Sequence, residues 1–133
     1  MINTNILKIA SDTKHYGLKG DYTHQSKVRN RFCGDIIKIE IKIKKNKLKI
    51  LRYETQSCIF CQASASILAK KINSFSVDKL KEDIDSFSKT MKNKERNLPA
   101  RLAPFKILIN NNNLNRFDCI MLPFSALLKA LKI

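Results

Sequence analysis

Four cysteines and one aspartate are the residues of this chain best suited to hold a metal ion or to carry sulfur. Thiolates are the preferred ligands of zinc and of iron–sulfur clusters. A carboxylate is a harder ligand and binds a soft metal less tightly. Three thiols and one carboxylate would complete a four-ligand site for zinc or for an iron–sulfur cluster, if the fold brings them together. The hypothesis assigns this site to Cys33, Asp35, Cys58 and Cys119.

The fourth cysteine, Cys61, forms a CxxC pair with Cys58. A zinc ribbon would need a second pair of this kind, and the sequence has none. A thioredoxin-like redox motif would need a βαβ frame, whereas a β-hairpin is predicted before this pair. We therefore interpret Cys61 as a packing residue, and a buried free thiol is the alternative for each of the four cysteines.

A three-stranded antiparallel sheet is predicted ahead of Cys58. Isoleucine alternates with charged residues from Ile37 to Lys44, and this period of two is typical of a strand with one buried face. A turn at 45–47 leads to a return strand from Leu48 to Thr55, in which a phase shift indicates a bulge. A third strand is predicted from His24 to Arg31.

Helices are predicted around this sheet, and they position two of the thiols. With Ser57 as the N-cap, Cys58 would lie in the first turn of its helix, where the free amides and the dipole favour a thiolate. Cys119 is expected near the start of the last helix, with Pro123 in its first turn. The small residues Ala63–Ser66 would let the buried helix lie close to its neighbours. The predicted helices are 5–10, 58–72, 77–91, 100–109 and 114–133, with a loop at Asn110–Asn113.

These elements predict an α+β fold in which a three-stranded antiparallel sheet packs against several helices. The 133 residues show no repeat and no linker, so we expect one domain over residues 1–133. No segment resembles a membrane span or a signal peptide, and the expected location is the cytoplasm. Disulfides are disfavoured there, which favours metal-binding or reactive thiols.

The chain is strongly basic, with 26 Lys and Arg against 11 Asp and Glu and a net charge of +15. General surface charge is the preferred interpretation, and an acidic partner or a nucleic acid is the alternative. A basic nucleic-acid-binding module would use the lysine face of the hairpin, but that face has no aromatic stacking platform. Its lysines are Lys38, Lys42, Lys44, Lys47 and Lys49.

Three segments resemble the iron–sulfur cluster assembly scaffold family of the NifU N-terminal, IscU and SufU type. The segment 30–35, NRFCGD, matches the family's N-x-x-CGD motif. The segment 58–66, CIFCQASAS, matches a cysteine that precedes an A-S-A-S-like helix. The segment 116–124, RFDCIMLPF, resembles the R-x-x-C-x-x-L-P-W/F motif of the SufU branch. The resemblance extends from about Asn5 to Leu131.

The resemblance implies a SufE/NifU-like α+β fold and a scaffold function rather than an enzyme, with sulfurtransferase activity as an open possibility. It implies that a cysteine desulfurase delivers persulfide sulfur to these thiols. Cys119, near the predicted loop at Asn110–Asn113, is our candidate for the first acceptor. The ligands of a 2Fe–2S cluster or iron, or alternatively of zinc, would be Cys33, Asp35, Cys58 and Cys119. Asp35 would keep the cluster labile for transfer to apo iron–sulfur proteins. The oligomeric state is not implied.

The chain also departs from the family pattern. Gln56-Ser57 replaces the glycine that usually precedes the second cysteine, and Asp118 replaces the histidine that precedes the last cysteine in the IscU branch. The chaperone-recognition segment of that branch is absent, and Asn111–Leu114 stands in its region. These differences favour the SufU-like branch and leave Cys61 as an extra thiol that could replace a ligand.

Overall fold

The structure, a computed structural model, describes residues 4–31, 34–93, 98–109 and 116–133. The described helices and strands confirm the predicted α+β architecture. Two 3₁₀ segments, Ile72–Ser74 and Ala100–Leu108, lie between the longer helices. In chain order the other elements are α1 (Thr4–Ala10), β1 (His24–Arg29), β2 (Ile36–Lys44), β3 (Lys47–Gln56), α2 (Ile59–Lys70), α3 (Val77–Asn93) and α4 (Phe117–Leu131).

The three strands form an antiparallel sheet in the order β1-β2-β3, as predicted. The β2–β3 hairpin turns at Lys45 and Asn46, whose φ angles are +52° and +66°. Two positive φ angles are typical of a type I′ turn, whose twist matches that of the flanking strands. The register shifts between Lys42 and Ile43, which leaves Lys49 as the extra residue on β3 and confirms the predicted bulge.

One face of the sheet is covered by helices and holds the hydrophobic core. Ile37, Ile39 and Ile41 of β2 are buried on this face, as the alternating pattern predicts. Three aromatic rings join α3, the second 3₁₀ segment and α4, with centroids 5.1 to 5.3 Å apart. Such tilted pairs stabilise a core beyond the area that they bury. The rings belong to Phe87, Phe105 and Phe124.

The opposite, polar face of the sheet is partly covered by the loop at 15–21. Its backbone pairs with the outer edge of β3, where the Gly17 amide donates to the Tyr53 carbonyl at 2.8 Å. Further along, the amides of Lys19 and Gly20 donate to the Glu40 carboxylate at 2.8 and 3.0 Å. These bonds explain how Glu40, with only 7% of its surface exposed, is tolerated there.

Three details of the predicted helices are corrected by the structure. Residue 57 is not the N-cap of α2, because the helix begins at Ile59 and Cys58 is its cap. Pro123 is not in the first turn of α4, since that helix begins at Phe117 and encloses the proline. The last helix also starts three residues later than predicted, whereas the predicted loop at Asn110–Asn113 lies outside the described residues.

No helix among the described residues is long and apolar enough to cross a membrane.

Candidate metal or sulfur site

Asp35 is positioned by the tight connection between β1 and β2. The Asn30 amide donates to the Asp35 carbonyl at 2.7 Å, and the Gly34 amide donates to the Asn30 carbonyl at 2.9 Å. Gly34 has a φ of +75°, a conformation that side chains other than glycine rarely adopt. The loop therefore closes sharply, and it places Asp35, which is only 8% exposed, at the end of the sheet.

Cys58 lies at the N-cap of α2, directly after β3 ends. Its backbone is extended, with φ −70° and ψ 166°, and its carbonyl accepts the Gln62 amide at 3.1 Å. The Cys58 amide donates to the Asp35 carboxylate at 3.3 Å. This bond satisfies an amide at the helix N-terminus, and it fixes the carboxylate beside the thiol.

Ser57 does not cap the helix, because its hydroxyl is engaged elsewhere. The Thr55 hydroxyl donates its proton to the Ile36 carbonyl at 2.6 Å and accepts the Ser57 hydroxyl at 2.8 Å. The Gln62 side-chain amide donates to the Ser57 carbonyl at 2.9 Å. The prediction placed Cys58 one residue too far into the helix. At the cap position its thiol still lies at the positive end of the helix dipole.

Cys119 is the third residue of α4, close to the helix start as predicted. Packing of α4 against α2 brings it to Cys58. The Ser64 hydroxyl of α2 donates to the Ile120 carbonyl of α4 at 2.7 Å, a close approach that the small residues of α2 permit.

The three ligand groups converge at one point. The sulfurs of Cys58 and Cys119 and a carboxylate oxygen of Asp35 all lie within 4.8 Å of one another. Ligands bound tetrahedrally to zinc at about 2.0–2.3 Å lie roughly 3.3–3.8 Å apart, so a contraction of about 1–1.5 Å would suffice. The donor set therefore fits a thiophilic metal ion or an iron–sulfur cluster.

Cys33, the fourth predicted ligand, lies outside the described residues. Its neighbour Gly34 directly precedes Asp35 in the loop that reaches the site. That Cys33 completes the ligand set stays a prediction, as do the assigned roles of Asp35, Cys58 and Cys119.

Cys61 is separate from this cluster, and its burial agrees with a packing role. It is completely buried, and burial raises the pKa of its thiol to about 12 despite hydrogen bonding to Ser57 and Thr55. A thiol that stays protonated at neutral pH is a poor ligand and a poor nucleophile. Cys58 is partly exposed, so the two members of the CxxC pair differ in environment.

We expect iodoacetamide at pH 8 to alkylate Cys58 in the native protein and to leave Cys61 unmodified until denaturant is added. Both thiols lie on the tryptic peptide 53–70, so tandem mass spectrometry of that peptide would identify the labelled one. The folded protein keeps the Cys61 thiol protonated to higher pH than the unfolded chain does. The free energy of unfolding therefore falls as pH rises above 9.0, the pKa of the thiol in the unfolded chain. Between pH 9 and 10.5 wild type should lose about 2 kcal/mol more than Cys61→Ala. Equal labelling of both thiols, or equal pH dependence, would contradict the packing role.

One contact near the site was not anticipated from single residues. The Arg116 guanidinium lies over the Phe60 ring, 6.0 Å from its centroid. Phe60 follows Cys58 by two residues, and Arg116 precedes Cys119 by three. This cation–π contact therefore links the chain just before α4 to the first turn of α2, near both thiols. The R-x-x-C segment was the sequence signal that could have indicated it.

The sequence of this chain matches a family model and a curated relative. The family model of the NifU-like N-terminal domain matches residues 1–110, which include the segments of Asp35 and Cys58 but not Cys119. The chain is 28% identical over 133 residues to the iron–sulfur cluster assembly scaffold protein IscU of Thermotoga maritima. That alignment covers 99% of this chain and 93% of the relative.

Two solved structures share the fold. A nitrogen-fixing NifU-like protein (N-terminal) from Brucella abortus superposes with a TM-score of 0.84 at 20% identity, covering 98% of this chain and 91% of that chain. A candidate iron–sulfur cluster assembly scaffold of the SUF system from Fervidobacterium islandicum gives 0.82 at 19% identity, covering 98% and 96%. At these identities the likeness concerns the fold alone, and the predicted preference for the SufU-like branch stays a prediction.

Proposed function

Since this chain belongs to the family of NifU-like N-terminal domains, we propose that it is a scaffold for iron–sulfur cluster assembly. It would receive persulfide sulfur from a cysteine desulfurase, hold a transient cluster and pass it to apo iron–sulfur proteins. The observation that carries the proposal is the convergence of two thiols and a carboxylate within 4.8 Å, at the end of the sheet and at a helix N-terminus.

Sulfur would enter by transfer from a donor persulfide to one of the scaffold thiols. An acceptor thiolate attacks the outer sulfur of the donor, the donor's S–S bond breaks, and the donor cysteine leaves as a thiolate. Cys119 is the proposed first acceptor, although Cys58 is the more exposed of the two. Their sulfurs lie within 4.8 Å, so an iron-bound product could be shared between them without a large movement.

Asp35 would be the ligand that keeps the cluster transferable. A carboxylate binds a soft iron site less tightly than a thiolate does, so exchange at that ligand is faster. The hydrogen bond from the Cys58 amide withdraws further electron density from the same carboxylate. This arrangement suits temporary storage rather than permanent binding.

The proposal predicts the outcome of anaerobic reconstitution with ferrous iron and sulfide. Wild type should develop a visible absorption band and retain iron and acid-labile sulfide after gel filtration. Asp35→Ala should also bind a cluster but transfer it to an apo-ferredoxin roughly tenfold more slowly, because its weakest ligand is gone. Asp118→Ala, an exposed carboxylate near Cys119, is the control that should transfer normally.

Two results would contradict this function. Tight zinc binding without any cluster chromophore would favour the alternative of a zinc-bound sulfurtransferase partner of the desulfurase. Faster transfer from Asp35→Ala than from wild type would reject Asp35 as the labile ligand while leaving the scaffold function intact.

A further inference from the structure

A pair of lysines occupies adjacent positions on the polar face of the sheet. Lys27 of β1 and Lys38 of β2 are direct cross-strand partners, and both side chains are exposed. Like charges placed opposite each other on a sheet reduce its stability. Neither ammonium group forms an ion pair with any residue in the described ranges. The pair therefore presents positive charge that no ion pair within the described ranges neutralises.

Two carboxylates on the same face keep their negative charge, but they accept backbone amides of the loop at 15–21 rather than pairing with the two lysines. Glu40 accepts the amides of Lys19 and Gly20, and Glu54 accepts the Leu18 amide at 3.1 Å. Glu54 is the cross-strand neighbour of Lys38 on β3, yet the two side chains do not form an ion pair. Arg29, also exposed, adds another cation farther along β1.

The lysine pair borders a hollow beside the cysteine site. The hollow has a volume of about 250 Å³. Its lining includes Ile36, which follows Asp35, and Gln56, which lies two residues before Cys58. It therefore lies at the end of the sheet where the thiols converge. The remaining lining residues are Tyr16, Lys27, Lys38, Glu54 and Thr55.

We propose that the hollow at Lys27 and Lys38 binds an acidic segment of the protein that donates sulfur to the cysteines. This inference rests on the proposed scaffold function, because it assigns the docking surface of that function's partner. Two or more Asp or Glu side chains would complement the unpaired ammonium groups and relieve their mutual repulsion. A partner held at this end of the sheet could reach the thiols. Since both lysines are exposed, the pair would mainly accelerate association, in a salt-sensitive way.

The chain offers a matched control for a charge-reversal test. Lys44 and Lys47 are also direct cross-strand partners and exposed, but they flank the turn at the other end of the hairpin. The variants Lys27→Glu/Lys38→Glu and Lys44→Glu/Lys47→Glu change the net charge equally. A general charge effect would affect both variants, whereas a docking site would affect only the first.

The binding experiment uses fluorescein-labelled hexaglutamate and fluorescence anisotropy at low ionic strength. We expect the first variant to bind the peptide at least about fivefold more weakly than wild type, and the control less than about twofold. Equal losses in both variants would overturn the proposal. Binding of inorganic phosphate or of an oligothymidylate at this pair, with no binding of hexaglutamate, would overturn it in favour of a small anion or a nucleic acid.

Two further readouts separate this inference from the scaffold function. Chemical reconstitution, which needs no partner, should yield equal cluster content in wild type and both variants. Sulfur transfer from a cysteine desulfurase, followed with radiolabelled cysteine, should slow only in Lys27→Glu/Lys38→Glu. If wild type accepts neither cluster nor sulfur, the scaffold function fails. If transfer is normal in the first variant, the docking surface alone is wrong.

Discussion

Replacing Cys58 with alanine will abolish stable cluster binding, the largest functional effect expected for a single substitution in this chain. Cys58 supplies the thiol at the helix N-cap, and its amide holds the Asp35 carboxylate. Alanine keeps the amide but removes the sulfur, so the site loses one soft ligand while the surrounding backbone stays in place. Loss of one thiolate from a metal site lowers affinity by several kcal/mol, or roughly a hundredfold or more.

The measurement is iron and acid-labile sulfide per chain after anaerobic reconstitution and gel filtration, together with visible absorption and circular dichroism. Cys61→Ala is the matched control, because it removes a thiol one helical turn away that is buried outside the cluster. It should retain the cluster while losing about 1 kcal/mol of stability from the removed packing. Full cluster content in Cys58→Ala, or loss of cluster only in Cys61→Ala, would contradict the assignment of Cys58 as a ligand and favour Cys61.

Replacing Arg101 with alanine will cause a large loss of folding stability at a position remote from the cysteines. The Arg101 guanidinium donates two hydrogen bonds to the carboxylate of Asp83 on α3, whose side chain is only 2% exposed. Removing the arginine leaves a buried carboxylate without its cation, and such losses cost about 3–5 kcal/mol. Because the Arg101 side chain is 35% exposed, water can partly replace it, and we expect about 3 kcal/mol.

Urea unfolding followed by circular dichroism measures this loss at pH 7. Lys106→Ala, an exposed position in the same 3₁₀ segment, is the control and should change stability by less than about 0.5 kcal/mol. The double variant Asp83→Leu/Arg101→Met should recover most of the loss, since apolar side chains remove the unpaired charge. A loss below about 1 kcal/mol in Arg101→Ala would show that the pair contributes little, as is usual for exposed salt bridges.

Local patterns predicted the fold well. The isoleucine alternation of β2 is a direct consequence of a strand with one buried face, so both the strand and its orientation could be derived from residues 37–44. In β3 the alternation of buried and exposed residues shifts by one position, and this shift predicted a bulge. The helices α2, α3 and α4 were predicted from apolar spacing, with boundaries that differed by a few residues where capping decided the end.

The cap of α2 shows why such boundaries are difficult to predict. Serine is a better N-cap than cysteine by intrinsic preference, which favoured Ser57. In the structure the Ser57 hydroxyl donates to the Thr55 hydroxyl, and the Asp35 carboxylate accepts the first amide instead. A residue distant in sequence took over the capping role, and no window around residue 57 contains that information.

The sequence by itself determined which residues have the chemistry: thiols and a carboxylate in motifs that resemble a family, on a strongly basic chain. Only the tertiary structure decided that Asp35, Cys58 and Cys119 meet, because their proximity depends on the β1–β2 turn and on the packing of α4 against α2. It also decided that Cys61 is buried while Cys58 is partly exposed, since burial depends on the packing of the whole core. Likewise, the strand register that places Lys27 opposite Lys38 is set by pairing between distant segments, which residue types alone do not specify.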